Sequence, residues 1–303
     1  MRKWLIALAV AASVGSAAAQ AQRPQNLQPG RNADWSPERQ PQGAMFRSGN
    51  ITLTFRNDPD PEIADLPRPA LTVAMPGYQP VTLHGESVPA YQDHRVSVGR
   101  WSADGTPFVF FQSFSGGAHC CTSLQVVVPQ AGQLRVYDLG EWDGGYADDV
   151  PKDEDGDGTV DFLQVDNGFL YAFASYAESF APPVVYNIVN GEAVDVSGRP
   201  GFRRFFESAA RDARRLCVSR EDSNRNGACA AYVAASARLG RFEQAWAEML
   251  ENYHRSAEWE LPSSCRVENR DEACPEDQRV EFTSYPDALR AFLQEQGYIP
   301  RAG

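Results

Sequence analysis

Residues 184–196 read Val-Val-Tyr-Asn-Ile-Val-Asn-Gly-Glu-Ala-Val-Asp-Val, two alternating runs joined by Asn190-Gly191. Asn-Gly between alternating apolar segments is the strongest short-range signal for a β-hairpin, because its turn needs residues that accept a positive φ. This hairpin also marks a change of pattern. Short alternating runs precede it and helical periodicity follows it. The sequence therefore predicts antiparallel β structure up to about residue 199.

Further strand patterns fill the chain upstream of the hairpin. They lie at Ile51–Phe55, Arg95–Val98, Phe108–Phe111, Val126–Val128 and Leu134–Leu139. Short strands bounded by turn residues, with no long helical pattern between them, are typical of antiparallel sandwiches, barrels or partial propellers. We expect residues 46–199 to form an antiparallel β sandwich or a partial propeller-like domain, in which Phe169, Tyr171 and Phe173 share one face of a strand.

Helical periodicity begins near residue 200. Four apolar stripes with a spacing of three or four residues lie at Phe202–Ala213, Tyr232–Leu239, Phe242–Tyr253 and Tyr285–Phe292, and Gly297 is a stop signal for the last one. Each stripe faces a core. We expect residues 200–303 to form a helical, disulfide-containing domain, so the fold class is α+β.

The N-terminus has the pattern of a bacterial secretory signal. Arg2 and Lys3 precede the apolar run Trp4–Val14, and small residues follow at Ala17–Ala21. Residues 1–22 are therefore predicted to be a signal peptide that is cleaved near residues 19–22. Residues 23–45, rich in Pro, Gln, Arg and Asn, are predicted to be a disordered linker. Since no second apolar run of about 20 residues follows, we expect no transmembrane anchor and a periplasmic or extracellular location.

Charge and lysine content exclude several classes of protein. The formal net charge of the 303 residues is −12, and Lys3 and Lys152 are the only lysines. An acidic chain is a poor partner for nucleic acid, because phosphate binding needs clustered Lys and Arg. Lys152 follows Pro151 rather than Gly, so a phosphate-binding loop is excluded too. The expected partner is a protein or glycan of the cell envelope.

All six cysteines lie from residue 120 onward, which in an oxidising compartment indicates disulfides. The favoured pairing follows proximity in the chain: Cys217–Cys229, Cys265–Cys274 and a bridge between the adjacent Cys120 and Cys121. The alternative is that Cys120 or Cys121 ties the first half of the chain to the second.

Residues 153–161 read Asp-Glu-Asp-Gly-Asp-Gly-Thr-Val-Asp, a D-x-D-x-D-G-x-x-D pattern. Calcium takes six to eight oxygen ligands, and carboxylates at loop positions 1, 3, 5 and 9 can converge on one ion. Position 7 adds a backbone carbonyl, and Gly158 at position 6 permits the sharp turn. An EF-hand is excluded, because position 12 is Gln164 and a strand pattern follows instead of a helix.

The loop resembles the calcium loops of FG-GAP and VCBS-type β repeats, the repeats of integrin-like propellers, over residues 153–165. The resemblance implies Ca²⁺ bound by Asp153, Asp155, Asp157, the Thr159 carbonyl and Asp161, in a loop that joins two strands. A faint second copy, Asp104–Val109, aligns with Asp157–Phe162 at a period of 53 residues but lacks the ligands.

A second unusual segment, Ser113–Thr122, contains His119 beside Cys120 and Cys121. Three hypotheses fit it: a disulfide in a tight loop, a soft-metal site for copper or zinc, and a cysteine nucleophile with His119 as base. The metal hypothesis lacks the second ligand pair that zinc motifs have.

The chain contains no G-x-S-x-G, H-E-x-x-H or G-x-G-x-x-G motif. We therefore expect a secreted, calcium-binding, non-catalytic protein that binds or interacts at the cell envelope. One alternative is a secreted hydrolase with an acidic active site, since 11 Asp or Glu lie between residues 138 and 166. The other is a redox or copper-handling protein that uses His119, Cys120 and Cys121.

Overall fold

The computed structural model describes residues 23–63, 66–117, 121–143, 147, 149–219, 224–267 and 274–301. In this part of the chain, β-sheets are followed by a helical region, so the predicted α+β class is confirmed. The predicted signal peptide, residues 1–22, lies outside the described residues. No described helix is both long enough and apolar enough to cross a membrane.

Two five-stranded sheets form the first part of the fold. The first sheet has the order β1-β3-β4-β5-β6, with β1 at Gln25–Asn26, β3 at Ala44–Ser48, β4 at Ile51–Pro59, β5 at Pro67–Ala74 and β6 at Val81–His84. The second has the order β10-β9-β8-β7-β2, with β10 at Gln133–Trp142, β9 at Thr122–Gln130, β8 at Pro107–Phe114, β7 at His94–Arg100 and β2 at Asn32–Trp35. Neighbouring strands run antiparallel, except that β1 is parallel to β3.

The two sheets pack face to face as a sandwich. Alternate residues of β4 (Ile51, Leu53 and Phe55) are buried, as the alternation in the sequence predicts. Phe55 meets Phe111 of the second sheet, with ring centroids 5.9 Å apart. Apolar residues of both sheets join in one cluster, so the sandwich core lies between them.

A third sheet covers the other face of the second one. It consists of β11 (Phe162–Val165), β12 (Pro183–Val189) and β13 (Glu192–Asp195), all antiparallel. The predicted hairpin is confirmed: β12 and β13 pair, and Asn190 and Gly191 have φ of 54° and 94°. Phe162 packs on Phe108 and Phe110 of β8, at centroid distances of 6.3 and 6.0 Å.

Four α-helices form the second part: α1 (Arg203–Cys217), α2 (Asn226–Arg238), α3 (Phe242–Asn252) and α4 (Tyr285–Glu295). Helix α2 is buried from Asn226 to Ser236. Disulfides join Cys217 to Cys229 and Cys265 to Cys274, the two short pairings favoured by the sequence. Cys265 of the Cys265–Cys274 disulfide belongs to β14 (Ser264–Cys265), which pairs with β15 (Arg279–Val280) in a two-stranded sheet.

The prediction of a strand through Phe169, Tyr171 and Phe173 is wrong. Short 3₁₀ turns at Asn167–Phe169 and Tyr176–Glu178 occupy this region, and Tyr171 has a φ of 60°. Phe169 and Phe173 pack edge-to-face on Phe292 of α4, at 4.9 and 5.2 Å. They join Val185 and Val196 in the helical core, so the core of the helical region extends upstream of residue 200.

The structure corrects the prediction of a disordered linker at residues 23–45. This segment supplies β1, β2 and the start of β3, and it buries Leu27, Trp35 and Ala44. Trp35 is fully buried and stacks on Phe55, with centroids 4.9 Å apart. Edge strands this short need only a few apolar residues, which explains why polar composition conceals them.

We expect Trp35→Ala to lower the free energy of unfolding by about 3–5 kcal/mol, because it removes a buried ring from the sandwich core. Urea unfolding of the purified protein measures this. Arg31→Ala, at an exposed position of the same segment, is the control and should stay within about 0.5 kcal/mol of wild type. Equal, small effects of both substitutions would show that residues 23–45 do not contribute to the fold.

His94 gives the sandwich a pH dependence. Its ring is fully buried, and Nδ1 lies 3.0 Å from the Ser113 hydroxyl. Burial lowers the pKa of His94 to about 4 from the ordinary 6.5. The unfolded state therefore binds a proton that the native state does not, and the stabilisation is present above pH 6.5 and lost as the pH falls toward 4.

We expect the wild type to lose about 3 kcal/mol more stability than His94→Gln between pH 7 and pH 4, since one pKa unit corresponds to about 1.4 kcal/mol. Urea midpoints at pH steps across this range provide the comparison. Parallel pH profiles for the two proteins would contradict the assignment to His94.

Candidate metal centre

The acidic loop, residues 152–161, is closed at its base by backbone pairing. Lys152 and Asp161 form an isolated antiparallel bridge, in which the Asp161 amide donates to the Lys152 carbonyl over 3.0 Å. Gly156 and Gly158 take φ of 82° and 88°, which side chains with a Cβ disfavour. The chain thus turns back on itself and enters β11 directly after Asp161.

Three of the predicted ligands converge. Asp153, Asp155 and Asp161 each offer a carboxylate oxygen, and these oxygens lie within 4.8 Å of one another. The Asp153 carboxylate also accepts from the amides of Gly156 (2.7 Å) and Gly158 (2.9 Å). The loop's own backbone therefore holds the first ligand position in place.

Asp161 is the buried member of this group, with 1 % of its surface exposed. One carboxylate oxygen accepts from the Asn187 amide of β12 over 2.6 Å, and the other accepts from the Glu154 backbone over 2.7 Å. Burial raises the pKa of Asp161, and the charge of Asp155 adds to that rise, while both hydrogen bonds oppose it. A nearby cation would favour the charged form of this carboxylate.

Asp157, the fourth predicted carboxylate ligand, does not join the group of three. One of its oxygens accepts from the Arg199 guanidinium over 2.7 Å, and the other accepts from the Thr159 amide over 2.7 Å. Arg199 also donates to the side-chain amide oxygen of Asn187 over 2.9 Å. An arginine from beyond the hairpin thus holds Asp157.

The two copies of the faint repeat form similar turns, but these turns lead into different sheets. Asp104 accepts from the Thr106 amide over 2.9 Å, as Asp157 does from Thr159. The first turn leads into β8 of the second sheet and the other into β11 of the third. The described strands therefore do not form two copies of one blade at these positions.

The helical region packs directly on the acidic loop. Arg204, in the first turn of α1, donates to the Glu154 carbonyl over 3.0 Å and pairs with the Glu154 carboxylate. Gly201 lies so close that a Cβ there would be 2.2 Å from the Asp155 Cβ. The sequence gives no sign of these contacts or of the Arg199–Asp157 ion pair, because the residues that meet are some 40–50 positions apart in the chain.

The donor set fits a hard cation. Carboxylate oxygens have several lone pairs each, so those of Asp153 and Asp161 can still bind a cation while they accept hydrogen bonds. Oxygen-only ligands suit Ca²⁺ or Mg²⁺ rather than copper or zinc. With Asp157 turned inward and the Thr159 carbonyl added, the loop would offer the five ligands that its resemblance implies.

The second unusual segment is described in part. His119 and Cys120 lie outside the described residues, so the proposed Cys120–Cys121 bridge does too. Cys121 is disulfide-bonded, and its amide donates to the Ser115 hydroxyl over 2.7 Å. A disulfide sulfur lacks the thiolate that a soft-metal ligand or a nucleophile requires.

Part of the helical region is similar to a described family model. Residues 206–297 match the model described as the sll0997 C-terminal domain. The chain is 38 % identical over 199 residues to the "Probable thylakoid lumen protein sll0997" of Synechocystis sp., with 64 % of this chain and 57 % of that protein covered. It is 36 % identical over 195 residues to the "Uncharacterized protein y4bJ" of Sinorhizobium fredii, with 30 % of that protein covered.

The chain thus spans less than two thirds of the length of either relative. No FG-GAP or VCBS repeat model is detected, and no solved structure matches the chain. The acidic loop lies outside the matched range 206–297.

Asn187→Leu should lower the free energy of unfolding by about 2–4 kcal/mol, because it removes the buried donor to the Val160 carbonyl and to one of the two Asp161 carboxylate oxygens. Urea unfolding in calcium-free buffer measures the loss. The control is Arg204→Ala, which removes the exposed pair to Glu154 and should change stability by less than about 1 kcal/mol. If both variants lose equally little, Asn187 does not support the loop.

Proposed function

We propose that the chain is an extracytoplasmic, calcium-binding protein that acts by binding at the cell envelope rather than by catalysis. The signal-like N-terminus, the disulfides Cys217–Cys229 and Cys265–Cys274 and a relative named as a probable thylakoid lumen protein support an oxidising compartment outside the cytoplasm. Its partner would be a protein or glycan of the envelope.

One observation carries the calcium proposal: the carboxylates of Asp153, Asp155 and Asp161 lie together within 4.8 Å. Like charges at this separation repel, and a divalent cation would turn that repulsion into coordination. Asp157 would complete the site by exchanging its pair with Arg199 for a bond to calcium, and the Thr159 carbonyl would add a fifth oxygen. The likeness to FG-GAP and VCBS-type loops supports the same ligand set.

Calcium at this loop would act structurally. The loop contacts the third sheet through Asn187 and the first turn of α1 through Arg204. Its base continues into β11, which packs on the second sheet. A bound ion would therefore fix a junction between the β region and the helical region, and it would leave the outer surfaces available for a partner.

A thermal melt in calcium and in chelator-treated, calcium-free buffer tests this proposal. At a hundredfold excess over Kd, ligand binding adds about 2.7 kcal/mol, which raises the Tm of a protein this size by several degrees. Asp155→Asn should abolish most of the shift. Asp104→Asn is the matched control, because it alters the related turn that has no ligand set and should keep the full shift.

The same melt with magnesium at equal ionic strength separates a specific site from charge screening. An equal Tm with and without calcium, or an unchanged shift in Asp155→Asn, would remove calcium from the account and leave the loop as a solvated acidic turn.

A further inference from the structure

A second charged feature lies in the helical region, away from the metal centre's ligands. Helices α1 and α2 and the start of α3 line an open groove of about 740 Å³. Four arginines and one carboxylate line it: Arg211, Arg214, Arg215, Arg241 and Glu207. We call this feature the arginine groove, and it falls within the matched range 206–297.

The arginine groove has the opposite charge to the chain as a whole. The formal net charge is −12, with 40 acidic residues, yet the titratable lining of this groove is mainly cationic. Positive groups gathered along a concave wall focus the local potential and raise the local concentration of anions.

Arg214 is held in place against the wall of the groove. Its Nε donates to Glu248 over 2.8 Å, and the Tyr232 hydroxyl donates to the same carboxylate oxygen over 2.7 Å. The hydrogen bonds to Glu248 restrict the orientation of the Arg214 guanidinium and raise the pKa of Arg214. Arg214 therefore stays charged and oriented, with further N–H donors beyond this pair.

Arg211 and Arg215 lie one turn apart on α1 and present their side chains to the groove. Arg211 donates to the Ser208 hydroxyl over 3.1 Å, and Arg215 donates to the Asp212 carboxylate over 3.4 Å, in each case three positions earlier on the same helix. Neither bond crosses the groove. Since a guanidinium has five N–H donors, both arginines keep donors for a ligand.

The walls of the groove are fixed before any ligand binds. The Cys217–Cys229 disulfide joins the end of α1 to the first turn of α2, with 4.6 Å between the Cα atoms. Ala210 and Ala245 are small, and they leave room beside the polar groups of Tyr232 and Gln244. A rigid site loses less entropy when it binds a ligand.

We propose that the arginine groove binds a small ligand that carries at least two anionic oxygen groups, carboxylate or phosphate. Planar guanidinium forks match such groups in bidentate geometry. The groove volume is that of typical small-molecule sites. Arg211 and Arg215 hold one anionic group. Arg214, which is paired with Glu248, and Arg241, which lies 3.8 Å from Glu207, hold the other through their remaining N–H donors. This proposal is independent of calcium at the acidic loop.

Isothermal titration calorimetry in calcium-free buffer tests the proposal. Succinate is the dicarboxylate probe, and pyrophosphate is the phosphate probe. Acetate, which has one carboxylate, serves as the comparison at equal ionic strength. We expect at least one divalent probe to bind and acetate to bind at least tenfold more weakly. The stronger of the two divalent probes identifies the anion class. No binding by either would overturn the proposal.

The double variant Arg211→Ala/Arg215→Ala should weaken binding of the preferred probe at least tenfold. Arg279→Ala, at an exposed position in the same region, should bind as wild type does. Both arginines are exposed on α1, so the thermal melt of the double variant should match that of wild type. If it does not, the single variant Arg211→Ala takes its place.

Arg211→Lys/Arg215→Lys separates fork geometry from charge. It keeps the positive potential but loses bidentate hydrogen bonding, so we expect binding between that of wild type and the alanine variant. Unchanged binding in the alanine variant would overturn the assignment to these residues.

Discussion

Burial of the second sheet on both faces is the constraint on which the other layers depend. Val109 and Phe111 of β8 face the sandwich core, and Phe108 and Phe110 face the third sheet. A sheet with two apolar faces must be covered on both sides. The first sheet covers one face and β11–β13 cover the other. Val185 of the third sheet is part of the helical core. The helices therefore pack against the third sheet, which the other two sheets leave uncovered on this side.

The acidic loop buries a carboxylate directly beside this packing. Val160 and Phe162 both insert into the cluster beneath the third sheet, and Asp161 lies between them in the chain. Its carboxylate is buried against Asn187 of β12, and an unpaired buried charge is costly. Asn187 and the Glu154 amide offset part of that cost. Arg199 and Arg204 place positive charge beside Asp157 and Glu154, the neighbouring acids of the loop.

Local features of the fold could be predicted from the sequence, and features that depend on distant contacts could not. The Asn190-Gly191 turn, four helical stripes and two short disulfides are set by neighbours in the chain. The strands in residues 23–45 escaped prediction because edge strands need few apolar residues. Phe169 and Phe173 alternate as in a strand, but they pack on Phe292. Three loop carboxylates have oxygens within 4.8 Å of one another, whereas Asp157 is held by Arg199, 42 positions away.

Helix α1 links the two charged features while it keeps them apart. Arg204 at its start contacts the acidic loop, and Arg211 and Arg215 near its end line the arginine groove. At 1.5 Å per residue, these positions are about 10–16 Å apart along the helix. Separations above about 7–10 Å without shared partners give nearly additive effects on stability. An anion bound in the arginine groove and a cation bound at the acidic loop would therefore stabilise the protein independently of each other.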